Sequence, residues 1–365
     1  TGAIIERDCW RLVKPFSEIE KELPESIRSM IERKIDHLAE ADRHLLIAAS
    51  VQGLEFHAAV VAAALDADAA EIEESLERLD QVHTFVRRVG EEEMPDGSLT
   101  LRYRFVHALY QNALYETLTP TRRTQLSSVV ANGLSRRHSA DLSAVAGELG
   151  LLFEVAREFA PASDNFLQAA QKAIRVCANQ EAVELCRRSI ENAKKLEGND
   201  KERRVVAAAL ELAQLQLTIT GFEDAIENFE MAERAAEPAG MNEERIQAIC
   251  GRGMCCYRLR RVDEARADGE RAMELARSIH SAHGVASAEL VFASLHICLG
   301  EIDAAEPLFD RAVPVLQKAR LHSLALEWLI NSASLHVWRQ EYDDANRILK
   351  FTKNKAREAG SGFAI

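Results

Sequence analysis

Two histidines are the residues whose chemistry and spacing first suggest a site. His296 and His336 occupy equivalent positions in segments that lie 40 residues apart. Imidazole commonly binds zinc and moves protons near neutral pH. A zinc site needs three or four ligands, and neither histidine has a carboxylate or a cysteine at ligand spacing. We therefore interpret both as packing residues and expect no metal site.

The cysteines show no ligand pattern either. No two of the seven have the CxxC spacing of zinc or redox sites, and most lie in alanine- and leucine-rich stretches. This distribution indicates buried thiols in a reducing compartment, so we expect a cytoplasmic protein. The cysteines are Cys9, Cys177, Cys186, Cys250, Cys255, Cys256 and Cys298.

Motifs for catalysis or nucleotide binding are absent from the sequence. It contains no GxxxxGK(S/T) phosphate-binding loop, no HExxH and no GxSxG. The nearest glycine pair, Gly251 and Gly253, lies in a helical stretch and lacks the third glycine of a dinucleotide-binding fingerprint. We expect that the chain is not an enzyme and holds no cofactor of its own.

The composition predicts a helical protein. Of 365 residues, 56 are alanine, 17 glycine and 8 proline, which argues against a β-sandwich, a barrel or a disordered chain. The net charge of −13 disfavours a surface that coats nucleic acid or anionic membrane. The longest apolar run, 58–65, is too short to cross a bilayer. The length favours two or three domains. No secretory signal opens the chain, and because it begins at Thr1 and not with a methionine, we expect a piece of a longer protein.

Small residues recur every 40 residues in three columns after position 200. A small residue allows two helix backbones to approach closely, and apolar residues recur at three and four between the columns. Each unit is therefore predicted to be helix, tight turn, helix, and neighbouring units must stack to bury their faces. The columns are Ala213, Gly253, Ala293 and Ala333; Ala225, Ala265, Ala305 and Ala345; and Ala232, Ala272, Ala312 and Thr352.

The small–aromatic–small spacing of Ala225, Phe229 and Ala232 resembles the second helix of a tetratricopeptide repeat. The resemblance covers roughly 163–359 and departs from the usual pattern at Gly269, where an aromatic is common. It implies a right-handed superhelix of paired helices, which we assign to residues 140–365.

The resemblance also implies a concave groove, lined by the first helices, that receives a peptide or a protein. Aromatic and arginine side chains make good anchors in such a groove. An alternative stays open for Tyr257 and Trp338, which could close gaps between repeats instead. The expected groove residues are Gln214, Met254, Tyr257, Arg258, Ser294 and Trp338.

The first third of the chain has a different pattern. Helices are predicted over Leu23–Leu38, Ala41–Val51, Phe56–Leu65 and Asp68–Gln81, and two strands over Thr84–Val89 and Leu99–Val106 with a turn between them. Helices followed by one β-hairpin describe a winged-helix domain, which we assign to 23–139 together with the helix after the hairpin.

The segment Tyr103–Glu116 is similar to the stretch after the wing in bacterial signal-transduction ATPases with numerous domains, the STAND family. Upstream, 23–36 resembles the junction that leaves the ATPase lid of that family, and a small hairpin at 3–13 would end the lid within residues 1–22. The resemblance implies a nucleotide-binding domain before Thr1. ATP or ADP is expected there and not in this chain.

His107 follows the second predicted wing strand. In related STAND proteins a winged-helix histidine contacts the phosphates of bound ADP, and an imidazole can donate a hydrogen bond to a phosphate oxygen. The resemblance thus implies a nucleotide sensor. The alternative is a histidine that caps the next helix or packs under the wing.

A winged helix can also bind DNA. Residues 84–140 contain eight arginines against five acidic residues, and phosphate contacts would fall on the wing. However, Glu91, Glu92 and Glu93 lie near the wing tip and the candidate recognition helix is acidic. We therefore favour a domain that packs on its ATPase neighbour and consider nucleic acid an unlikely partner.

These patterns predict the sensor and regulatory part of a cytoplasmic STAND-type regulator. The repeats would bind a protein or small effector, and the winged helix would couple binding to the ATPase domain. A full-length protein of this kind can carry a cyclase or kinase output domain. Two alternatives are a repeat scaffold that does not switch and a fragment of a DNA-binding transcription activator.

Overall fold

A computed structural model describes residues 3–6, 9–12, 25–95, 97–219, 221–318, 333–334, 336–337 and 339–358. The chain divides into two compact units, Thr1–Glu158 and Phe159–Ile365. This division falls later than the expected domain boundary at 139/140, since the helix over Ala146–Val155 packs on the helix over Pro120–Arg137 and belongs to the first unit.

The first unit begins with an antiparallel hairpin, as the sequence predicts, and continues with seven α-helices and a second sheet among its described residues. The hairpin strands are β1 (Ala3–Glu6) and β2 (Cys9–Leu12). The remaining elements are α1 (Glu25–Asp36), α2 (Glu40–Ser50), β3 (Glu55–His57), α3 (Ala58–Leu65), α4 (Ala69–Arg78), β4 (Val86–Glu93), β5 (Leu99–Phe105), α5 (Ala108–Glu116), α6 (Pro120–Arg137) and α7 (Ala146–Val155).

The second sheet has the strand order β3-β5-β4, with both neighbouring pairs antiparallel. The predicted hairpin β4–β5 is confirmed. The short strand β3 was not predicted: the sequence pattern placed Phe56 at the start of a helix. Its ring is 1% exposed and packs on Tyr103 and Phe105, with centroids 6.1 and 5.2 Å away. This aromatic packing favours a strand over the helix that the following alanine run alone would indicate.

Two helix starts in this unit follow from side-chain caps. The Asp68 carboxylate accepts hydrogen bonds from the backbone N–H of Ala70 and Glu71 at 2.9 and 3.3 Å. Thr119 accepts from the N–H of Arg122 at 3.4 Å. Both caps satisfy N–H groups that have no partner within the helix.

The second unit consists of stacked helix pairs. Each pair is antiparallel and joined by a turn of a few residues, and the fifth pair is described mainly through its second helix. The helices are α8 (Phe159–Arg175) with α9 (Asn179–Ala193), α10 (Gly198–Ile219) with α11 (Phe222–Ala239), α12 (Asn242–Arg258) with α13 (Val262–Ser278), α14 (Ala282–Leu299) with α15 (Ile302–Lys318), and α16 (Tyr342–Glu358).

All three small-residue columns lie where helices cross. The column of Ala225, Ala265 and Ala305 is 0% exposed, and Ala345 continues it at 3%. The members of the other two columns are also buried. Close backbone approach at these points lets the surrounding leucine, isoleucine and phenylalanine side chains form continuous core along the stack. The predicted fold class, mostly helical with superhelical repeats and one small sheet, is confirmed.

Candidate partner-binding site

The six residues expected to line the concave groove do not share one environment. Met254 and Ser294 are buried, with 2% and 0% of their surface exposed, so their burial does not fit a position on an open groove. Gln214 is half-buried and Arg258 is exposed. Trp338 lies outside the described residues.

The burial of Met254 and Ser294 has a packing cause. Both residues directly follow a small-residue crossing point, Gly253 and Ala293. Helix α12 contacts α11 and α13, and α14 contacts α13 and α15. The first helix of a repeat that is enclosed in this way has little solvent-exposed surface. A helical-wheel projection therefore overestimates how many of its residues face the groove. The Ser294 hydroxyl has no hydrogen-bond partner among the described residues.

Tyr257 and Arg258 lie at the end of α12. Tyr257 packs against the apolar core between the repeats, which agrees with the alternative that it closes a gap there. The Arg258 guanidinium carbon lies 5.9 Å from the ring centroid of Phe222 at the start of α11. Arg258 thus combines exposure with an aromatic contact, and it stays a candidate anchor for a partner.

His107 caps α5. Its side chain is exposed, and Nδ1 accepts a hydrogen bond from the backbone N–H of Leu109 at 3.1 Å. Capping was one of the two roles that the sequence left open. Because Nδ1 faces the helix, a phosphate could be contacted only through the opposite ring nitrogen, Nε2.

Three arginines of the three-stranded sheet, Arg88, Arg102 and Arg104, have acidic neighbours. Arg88 lies 2.7 Å from Glu91 in the same strand. Arg102 lies 3.6 Å from Glu92 and 3.8 Å from Glu55. These carboxylates compete with any external phosphate for the guanidinium groups, which reduces the basic character of the sheet.

Of the six cysteines whose side chains the structure describes, four are buried. Burial raises the pKa of Cys186 to about 12 and that of Cys256 to about 11. The thiolate is the nucleophilic and metal-binding form, so these groups are poor nucleophiles near neutral pH.

An open groove of about 570 Å³ lies between α13, α14 and α15. Met273 of α13, Phe292 of α14 and Leu308 of α15 provide its apolar surface. One side carries an ion pair, in which Arg311 donates to Glu289 at 2.8 and 3.0 Å. All three apolar side chains are half-buried and so retain surface that a partner can cover.

The opposite side of the groove is charged. Glu270, Glu274 and Arg277 follow one another at helical spacing on α13 and are exposed. The groove therefore combines an apolar centre with a charged rim, which is the usual composition of a protein-binding surface.

The equivalent position one repeat earlier is closed by charges. Arg252 donates to both carboxylate oxygens of Asp268, at 2.9 Å from Nε and at a shorter distance from Nη2. Arg271 donates to Asp268 at 3.2 Å and pairs with Glu233, and Arg252 also reaches Glu230 at 3.4 Å. This network links α11, α12 and α13, and hydrogen bonding to Asp268 raises the pKa of Arg252 further above its usual range.

The repeat with the closed position and the repeat with the open groove differ at three equivalent residues, 40 positions apart. Glu233, Arg252 and Asp268 are replaced 40 residues later by Met273, Phe292 and Leu308. This groove was not predicted, because it lies outside the inner face of the first helices, where the resemblance implies a binding surface. The sequence contains the information to predict it, because three charged residues of one repeat are all replaced by apolar residues in the next repeat.

The structure corrects the expectation that His296 and His336 have no carboxylate at ligand spacing. His296 Nδ1 lies 2.7 Å from Glu301 Oε2, and His336 Nδ1 lies 2.8 Å from Glu341 Oε2. Each histidine therefore does have a carboxylate partner five residues later, contrary to the expectation. The spacing was overlooked because it crosses the turn between two helices and does not follow one helix face.

Residues 244–318 match the family model of the tetratricopeptide repeat. The matched segment runs from α12 to α15, so it contains two helix pairs and the whole open groove. No curated protein sequence matches the chain.

Several solved structures are similar to this chain at low identity. A Rap protein complexed with Competence and Sporulation Factor is 16% identical, with a TM-score of 0.47 over 90% of this chain and 77% of that one. Aspartyl phosphate phosphatase F from Bacillus subtilis is 14% identical, with a TM-score of 0.42 over 90% and 97%. A STAND protein with a tetratricopeptide repeat sensor from Pyrococcus horikoshii is 12% identical, with a TM-score of 0.41 over 90% and 60%. At these scores no function is transferred to this chain.

Helix α14 has the length and apolar composition of a membrane span, and it is the one such helix among the described residues. Half of it is buried inside the repeat stack, between α13 and α15. The core helix of a soluble protein can have the same length and apolar composition. Helix α14 ends at Gly300, whose left-handed conformation commonly terminates helices.

Proposed function

We propose that this chain is the sensor and regulatory part of a cytoplasmic STAND-type regulator. Its tetratricopeptide repeats bind a protein or peptide effector, and its first unit is a winged helix that couples binding to a nucleotide-binding domain outside the chain. The observation that carries the binding role is the open apolar groove of Met273, Phe292 and Leu308 within the matched repeats.

The groove supports this role because its apolar surface has no structural need to be open. One repeat earlier the same position is filled by the Arg252–Asp268 network, so a closed arrangement is available to this repeat architecture. Exposed apolar surface with a charged rim marks interaction sites in soluble proteins. A protein or peptide would cover the three side chains and leave the Glu289–Arg311 pair at the edge.

The regulatory half of the proposal is supported by the resemblance of 23–36 and 103–116 to STAND proteins. In the structure these segments form α1 and the passage from β5 into α5, which contact one another. An effector can drive such a switch only when it binds the two states with different affinity. The first unit would transmit that difference to bound ADP.

The test is ADP release from the full-length protein, with and without candidate effectors. The effector is expected to accelerate release in the wild type. M273D, which puts a charge in the groove, should abolish the acceleration and leave basal release unchanged. V176D places the same charge at a side chain that is 70% exposed and lies outside the groove, and it should behave as wild type.

The same experiment separates the alternatives. A scaffold that does not switch would bind its partner through the groove with no change in ADP release. A DNA-binding fragment would shift random duplex DNA in a salt-dependent manner, whereas the paired arginines of the sheet lead us to expect no shift at 150 mM salt, roughly the physiological ionic strength. Loss of the groove with unchanged effector response would refute the proposal.

A further inference from the structure

Three possible metal ligands meet at the turn before α16. Donor atoms of His336, Glu341 and Asp344 all lie within 4.8 Å of one another. Zinc binds nitrogen and oxygen ligands at about 2.0–2.2 Å, so donors around one ion lie up to about 4 Å apart. Side-chain movements of less than about 1 Å would bring this group to that geometry. We propose that His336, Glu341 and Asp344 bind a divalent transition-metal ion such as Zn²⁺.

A backbone hydrogen bond brings the three donor residues close together. Glu341 donates its N–H to the carbonyl of His336 at 2.8 Å, which folds the chain back on the end of the preceding helix. Asp344 lies in the first turn of α16, which begins directly after Glu341. The imidazole and both carboxylates are therefore fixed on one side of a tight turn, and little chain entropy is lost when they converge on an ion.

The cations near the group leave room for a metal ion. Arg339 is engaged elsewhere, at 2.9 Å from Asp303 and 2.8 Å from Glu306. Arg347 lies 3.1 Å from Asp344, but its side chain is 79% exposed and can turn into solvent. An exposed ion pair of this kind is weak, so a metal ion can displace the arginine from the carboxylate.

The donor set selects the class of metal. Calcium and magnesium prefer sites built from oxygen atoms, whereas imidazole favours zinc, cobalt, nickel and copper. One nitrogen and two carboxylates leave at least one position for water. The inference does not depend on the proposed regulatory function.

The preceding repeat provides a matched control. His296 and Glu301 repeat the first two donors at 2.7 Å, but Ala304 occupies the position of Asp344. Two donors hold a metal ion weakly, so we expect no site there. A304D would supply the missing carboxylate.

The experiment titrates the chain with ZnCl₂ by calorimetry, and with CoCl₂ by visible absorption, after its exposed thiols have been alkylated. One equivalent should bind in the wild type. H336Q and D344A should each weaken binding roughly tenfold or more, a change that loss of even an outer partner can produce. H296Q should bind as wild type, and A304D should bind a second equivalent.

Two results would overturn the proposal. One is a wild-type chain that binds neither metal at millimolar concentration. The other is metal binding that H336Q and D344A leave unchanged, which would place the ion elsewhere. Circular dichroism of each variant separates loss of the ligand from loss of the fold.

Discussion

Asp268 is 1% exposed and is held by Arg252 through both of its carboxylate oxygens. The pair joins the two helices of one repeat, at a position where the following repeat has Phe292 and Leu308. A buried carboxylate is stable only with a partner, because taking its charge out of water is unfavourable. The repeat thus depends on the pair more than on either residue alone.

Removing one partner should destabilise the repeats, whereas replacing both should not. D268A leaves Arg252 and Arg271 without their shared carboxylate, and we expect a loss of about 2–4 kcal/mol in the free energy of unfolding. R252M/D268L substitutes apolar side chains of similar size and should lie within about 1 kcal/mol of the wild type. Chemical denaturation followed by circular dichroism measures both, and equal losses in the two variants would contradict this expectation.

Gly269 and Phe292 are a second pair of residues that depend on each other, because the Phe292 ring fills the space that a side chain at 269 would take. A Cβ added at Gly269 would lie 3.0 Å from the Phe292 ring atom Cζ and 3.1 Å from Cε1, closer than ordinary van der Waals contact. Alanine normally stabilises a helix relative to glycine by about 1 kcal/mol. G269A should nevertheless be neutral or destabilising in the wild type, and stabilising when Phe292 is already alanine. A double-mutant cycle of thermal unfolding would measure this coupling, and an absence of coupling would contradict the contact.

Much of the repeat array can be predicted from the sequence because one physical rule determines it. Close helix crossings require small residues, and they recur at a fixed spacing. The features that were missed depend on the partner side chain. The unusual glycine at 269 is visible in the sequence, but only the structure shows that Phe292 of the next helix occupies the space of the missing aromatic. Strand β3 was missed for the same reason, because Phe56 is held by Tyr103.

The exposure of the expected groove residues was predicted less well than the fold. Met254 and Ser294 lie on the helices that the sequence selected, but those helices are enclosed on more sides than a helical projection assumes. The His296–Glu301 and His336–Glu341 pairs form across turns whose backbone includes a left-handed residue, Gly300 or Gln340. Local periodicity contains no information about such turns.

Gln340 should limit the stability of the last turn. Its φ is 64°, while the equivalent Gly300 has a φ of 77°. Residues with a Cβ adopt this left-handed region at a disadvantage of about 1–2 kcal/mol relative to glycine. Q340G should therefore raise the melting temperature and G300A should lower it. Opposite signs in the two variants are the expected result in differential scanning calorimetry, and a destabilised Q340G would contradict it.

Glu148 should make the first unit less stable as the pH rises. Burial in α7 raises the pKa of this carboxyl from 4.5 to about 7. The unfolded chain loses the proton at the lower value, so between about pH 4.5 and 7 the folded state binds more protons and its stability falls with increasing pH. E148Q keeps a neutral side chain at every pH. The difference in melting temperature between E148Q and the wild type should grow from pH 5 to 7 and then level off, whereas parallel curves would contradict the role of burial.

The two roles of His107 can be separated by substitutions that differ in charge. H107A removes the cap of α5 and would destabilise the helix by about 1 kcal/mol whether or not the histidine contacts a nucleotide. H107D keeps a capping oxygen for the Leu109 N–H but would repel a phosphate. If His107 is a sensor, the full-length protein carrying H107D should release ADP faster than wild type with unchanged thermal stability. If the H107D protein retains ADP as well as the wild type does, capping is the role of this residue, because aspartate preserves only the cap.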